Sequence, residues 1–132
     1  MKRAVRSEGE DGMSIEAFYE SVGGDLQGVR GRLLTDERIE KFVRMFLADP
    51  TFGNLEAAMA AQDMEAAFRA AHTMKGLSRD MGLTRLFGPA DELADALRPG
   101  EDGAPTAPEL ADALMLRVAA GYAEVTAAAQ LL

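Results

Sequence analysis

Along the whole chain the apolar positions recur at steps of three and four, the period of one helix face, and nowhere alternate as a half-buried strand would. Alanine is abundant and β-branched residues are scarce, which favours the same conformation. The pattern predicts a short helix from about Ser14 to Val22, capped by the Ser14 hydroxyl and ended at Gly23-Gly24. Asp25 caps a second short segment ending near Leu34, and Thr35 caps a third whose stripe is Ile39, Phe42, Val43, Phe46 and Leu47. Asp49-Pro50 stops that helix, because a residue before proline avoids the helical region. Further helices are expected from Thr51 through Leu55 and Met59, from Asp63 to about Met81, from about Thr84 to Arg98, and from Thr106 and Pro108 to the end. The segment PGEDGAPTAP reads as a flexible loop before the last helix, whose inner side is Leu110, Leu114, Val118, Gly121, Val125 and Leu132. Amphipathic helices joined by short turns predict an all-α, antiparallel bundle.

Residues 1–12 are polar and lack aromatics, and read as a disordered leader, with Met13 a candidate start and residues 13–132 one helical domain. One domain suits 132 residues, of which 48% are hydrophobic. The absence of cysteine excludes disulfides, thiol nucleophiles and thiolate-held metals. With 14 Lys+Arg against 22 Asp+Glu the net charge is −8, and no basic cluster offsets it, so nucleic acid and anionic membranes are not expected partners. No long apolar run or signal-like start is present, which points to a cytoplasmic protein. The eight methionines include Met45, Met59, Met74 and Met81 at core-like spacing, expected to fill gaps in the core.

The segment 63–81 carries the chemistry. At ~100° per residue, Ala67, Ala70, Ala71, Met74, Leu77 and Met81 gather on one side. Glu65, Phe68, Arg69, His72, Lys75, Gly76 and Arg79 gather on the other, which puts the single histidine opposite the core. Helical side chains lean toward the N-terminus, so the residue at i+4 normally covers the residue at i. Here that residue is Gly76, and a glycine inside a helix costs roughly 1 kcal/mol relative to alanine. Its presence points to an imidazole left open on purpose. Arg69, Lys75 and Arg79 lie within about one turn of the ring, a local inversion of sign in an acidic chain that would attract a phosphoryl group. Arg69 and Arg79 could equally pair with Glu65 or other exposed acids.

Ala71-His72-Thr73-Met74-Lys75-Gly76 followed by Gly82 resembles the His-x-x-Lys-Gly signature of histidine phosphotransfer (HPt) domains, and the likeness extends through most of residues 14–130. The resemblance implies a freestanding domain with a four-helix core and one or two short additional N-terminal helices. It implies phosphorylation on a ring nitrogen of His72, with Lys75 as the phosphoryl-stabilising partner, Gly76 as the opening that admits a partner's active site, and Gly82 as a point of tight packing. The family shuttles a phosphoryl group between aspartates of receiver domains, so response-regulator receivers or hybrid histidine kinases are the implied partners and any Mg²⁺ belongs to the receiver. Leu77 stands where a small or hydroxyl residue is common, although Ser78 follows it, and Arg98 is a weak candidate for supporting the ring.

No phosphate-binding glycine loop or receiver module is present, so a phosphoryl carrier without kinase or ATPase activity is expected. It needs no cofactor or metal of its own, and a monomer is expected. Phe68 is the chosen docking anchor, with Arg69 and Arg79 steering the encounter. A scaffold that binds a receiver or kinase by the same face without being phosphorylated is the alternative reading.

Overall fold

A computed structural model describes residues 12–33 and 35–132. Among the described residues the chain forms α1 (Ile15–Ser21), α2 (Leu26–Leu33), α3 (Asp36–Ala48), α4 (Thr51–Ala60), α5 (Met64–Asp80), α6 (Thr84–Leu97) and α7 (Ala111–Ala129). A 3-10 turn, Pro108–Leu110, leads into α7, and among the described residues there is no strand. Apart from Gly12, the expected leader lies outside the described residues.

Local chemistry accounts for most boundaries. Ser14, Thr35 and Asp63 accept the N–H groups of Ala17, Arg38 and Ala66 at 3.0, 3.2 and 3.2 Å, and Asp25 accepts from Gly28 at 3.0 Å. Between α3 and α4, Asp49 is extended (φ −72°, ψ 135°), and its carboxylate accepts the Thr51 N–H at 2.8 Å to start the next helix. The expected loop after α6 is tied across its base. Thr106 donates its N–H and its hydroxyl to the Arg98 carbonyl at 2.9 and 2.6 Å, and the Ala107 N–H reaches Ala96 at 2.9 Å.

Helices α4 to α7 form the four-helix core, each packed on the next. The first side is extended by α3, which lies against α7, and Tyr122 of α7 meets Phe46 at 5.7 Å and stacks on Phe52 at 4.1 Å between ring centroids. Leu55, Met74, Leu86, Leu93 and Val118 fill the interior. The short α1 with its C-cap residue, and α2, add Phe18, Tyr19, Val22 and Val29 to it. Pro89 lies inside α6 and has no N–H for the carbonyl of Arg85, four residues earlier. That carbonyl faces α7 at Gly121, where a Cβ would sit 3.3 Å from the oxygen, so the missing bond coincides with a close approach of two backbones.

Two expectations about the core are corrected. Met45 is 53% exposed, because it stands about 200° around the helix from Val43, away from the buried Ile39, Val43 and Phe46. Leu110 is 51% exposed, since it belongs to the 3-10 turn and Ala111 takes the buried place. Met59 is half-buried, and Met74 and Met81 are buried.

The turn after α1 crosses the turn after α5. Asp25 donates its N–H to the Gly82 carbonyl at 2.9 Å, and the Tyr19 hydroxyl donates to the Met81 carbonyl at 2.7 Å. Burial pushes the Tyr19 phenol well above its ordinary range, against the opposing pull of Arg32. Gly82 is buried with φ +65°, and a Cβ there would lie 2.5 Å from Val29 Cγ2 and 2.7 Å from the Asp25 carbonyl. Gly82→Ala should therefore destabilise the fold by about 2–4 kcal/mol, combining a left-handed backbone with overpacking. Urea denaturation against the wild type checks this, and an unchanged midpoint would refute it.

Arg30 joins the first three helices. Its Nε and Nη2 grip both oxygens of Asp36 at 2.7 Å, and Nη2 also reaches Glu16 at 2.8 Å. Hydrogen bonding from Arg30 holds the Asp36 carboxyl below its ordinary range. A depressed carboxyl contributes stability that is present above its unfolded pKa and is lost as the pH falls through the folded one. Asp36→Asn should thus be less stable than wild type near neutral pH, with the gap closing in acid below the usual carboxylate range. A gap independent of pH, measured by thermal unfolding, would contradict this account.

Candidate functional site

The rotational setting of α5 is decided by its buried stripe. Ala67, Ala71, Met74 and Ser78 are buried at spacings of four, three and four, and this turns His72 outward into solvent. Glu65, Arg69 and Arg79 are exposed with it, whereas Phe68, Lys75 and Gly76 lie half-buried at the edge. One turn beyond His72, a Cβ built on Gly76 meets nothing nearer than Arg79 Nη2 at 3.9 Å. The space over the imidazole is open on that side.

On the other side of His72 stands Phe68, its ring centroid 6.0 Å from the imidazole at a tilt of 33°. Arg98 places its guanidinium carbon 5.5 Å from the Phe68 centroid and donates to Asp95 at 2.9 Å. The loop that bonds the Arg98 carbonyl thereby helps to present Arg98 at the site. Arg98 supports Phe68, and through it the surroundings of the histidine.

The three neighbouring cations do not form a bare positive cluster. Arg69 meets Glu65 at 3.4 Å, and Arg79 meets Asp80 at 3.6 Å, both pairs well exposed and therefore weak and labile. Lys75 reaches across to α6, its Nζ 3.0 Å from Asp91 Oδ1. The expected inversion of sign is thus a set of paired charges. Ser78 is fully buried and donates to the Met74 and Lys75 carbonyls at 2.8 and 3.1 Å, so its hydroxyl belongs to the core. The hydroxyl next to His72 is that of exposed Thr73, which donates to the Arg69 carbonyl at 3.0 Å. Among the described residues there is no group of three or more His, Cys, Asp or Glu that could hold a metal ion.

The family model described as Hpt domain matches residues 15–130, nearly the whole chain. The protein belongs to the Hpt family. Hpt domains carry out histidine phosphotransfer in two-component phosphorelays, interact there with receiver domains and kinases, and are phosphocarriers without catalytic activity of their own. Neither a search of curated proteins nor one of solved structures found a match to the chain. Among the described residues no helix is long and apolar enough to cross a membrane.

One site residue of the Hpt domain, Asp91, was not legible in the sequence, and Arg98 was legible only as a weak candidate. Asp91 sits on the half-buried edge of α6, a boundary position visible in the periodicity, but which cation it meets depends on the register of α6 against α5. The stacking of Arg98 on Phe68 depends on the same register.

Because the added Cβ meets only an ordinary contact with the Arg79 guanidinium, Gly76→Ala should leave the fold intact and raise its stability by up to about 1 kcal/mol, the helix-propensity difference. Denaturant unfolding tests this; destabilisation would show that the backbone at this point needs glycine.

Proposed function

We propose that the protein carries a phosphoryl group between receiver-domain aspartates on His72. The observation that supports this best is the uncovered ring, exposed on α5 with free space over Gly76 one turn away. A neutral imidazole has one nitrogen lone pair. In the proposed transfer that nitrogen attacks the phosphorus of a receiver's aspartyl phosphate. The N–P bond forms as the P–O bond breaks, and its electron pair returns to the aspartate carboxylate. A second receiver aspartate reverses the exchange and restores the imidazole.

Lys75 serves the phosphoryl oxygens as a mobile point charge. The receiver brings Mg²⁺ in its own acidic pocket, where the ion would neutralise oxygens of the group in transit. Phe68, half-buried and braced by Arg98, is the apolar anchor for that domain. Arg69 and Arg79, held only in weak pairs, steer the encounter. Gly76 leaves room for the partner's loops to reach the ring.

The test uses the full chain with isolated receiver domains charged by acetyl phosphate. Wild-type protein should gain an acid-labile, base-stable label, His72→Gln should gain none, and ATP alone should label neither. Gly76→Leu should slow the transfer markedly while remaining folded by circular dichroism. A label persisting on His72→Gln would overturn the assignment.

A further inference from the structure

One ion pair beside His72 differs from its neighbours. Arg69–Glu65, Arg79–Asp80 and Arg98–Asp95 each join residues of a single segment with well-exposed side chains. Lys75 instead bridges α5 and α6 to Asp91, and its side chain is only 22% exposed. Partial burial weakens the competition from water and makes the choice of partner matter more.

Lys75 follows His72 by three residues, so their Cβ atoms are about 5–6 Å apart on one helix surface. Its flexible four-carbon stem lets the ammonium reach Asp91 or the space over the imidazole without backbone movement. A phosphoryl group on the ring brings about −1.5 to −2 charges and three acceptor oxygens, against the single charge of a carboxylate. Carboxylate and phosphoryl group therefore compete for one ammonium.

Resting on the carrier reading of His72, we infer that Asp91 is a positioning residue: it holds Lys75 off the imidazole in the unphosphorylated chain and yields it when the ring is phosphorylated. The exchange moves hydrogen bonds from a carboxylate to phosphoryl oxygens and transfers no proton. Because Lys75 must leave one favourable partner to gain another, the phosphorylated form is stabilised less than a free lysine would allow. Asp91 thereby keeps the carrier close in phosphoryl affinity to the aspartates on either side, and the group can be passed on.

The experiment measures the equilibrium ratio of phosphorylated chain to phosphorylated receiver, using a receiver domain that labels the wild-type protein. Asp91→Asn should raise the ratio about threefold to tenfold, the range for losing one partly exposed ion pair. In a Lys75→Ala background the same change should have no effect, and Asp91→Glu should restore the wild-type ratio. An equal rise with Lys75 absent would mean that Asp91 acts by direct repulsion and would overturn its role through lysine. An unchanged ratio would overturn the inference altogether. A measurement on the wild-type chain needs no variant: on phosphorylation by phosphoramidate, the Asp91 Cγ resonance should move, and it should return on dephosphorylation. A resonance that stays fixed while His72 is phosphorylated would refute the exchange. If neither a charged receiver nor phosphoramidate labels His72, the carrier reading itself fails, an outcome distinct from a labelled chain with an indifferent Asp91.

Discussion

The rotation of α5 about its own axis is the constraint on which the rest of the molecule depends. Four residues, Ala67, Ala71, Met74 and Ser78, are sealed between neighbouring helices, where the three small ones allow close approach and the Met74 side chain fills the interior between α4 and α6. With that stripe buried, His72 has to face water. The end of α5 is held as firmly. The carbonyls of Arg79 and Asp80 accept from Arg32, that of Met81 from Tyr19, and that of Gly82 from Asp25, so main-chain groups in the last turn of the helix and just past it are satisfied by α1, α2 and the turn between them. The short N-terminal helices thus lock the register of the helix that carries the histidine.

The second helix of the site is set by backbone proximity. At Gly121, α7 approaches α6 so closely that a methyl group would crowd Leu86 Cα at 3.2 Å and the Arg85 carbonyl at 3.3 Å. The seat of α6 fixes where Asp91 and Arg98 stand relative to α5. Lys75–Asp91 near the middle of α5 and Arg98 over Phe68 nearer its start describe one antiparallel register.

Electrostatics at this face is subtler than composition suggests. A net charge of −8 leaves few basic groups to spare, and each cation around His72 has an acid beside it. The exposed pairs contribute little to stability and open readily to a charged partner. The Lys75–Asp91 pair is different in kind because it joins two helices at a partly buried edge. An acidic Hpt protein therefore keeps three cations close to His72, each beside an acid, within a chain of net charge −8.

The sequence determined the helices themselves. Ser14, Thr35 and Asp63 start them, Gly23-Gly24, Pro50 and Gly82 end them, and the stripe of α5 fixes the outward face of His72, because capping and periodicity act within a few residues of chain. The motif around His72 was legible for the same reason, being spaced along one helix. Met45 and Leu110 misled because apolar character does not say which side of a helix is covered, or where a 3-10 turn shifts the phase by one residue. The burial of Ser78 was hidden by its polarity, since its hydroxyl is satisfied within its own helix. Only the tertiary structure decided that Lys75 meets Asp91 and that Arg98 lies over Phe68. Those contacts depend on how far α6 slides along α5, and that is set by the packing at Gly121 and by the crossed turns at Gly82, whose partners lie far away in the chain.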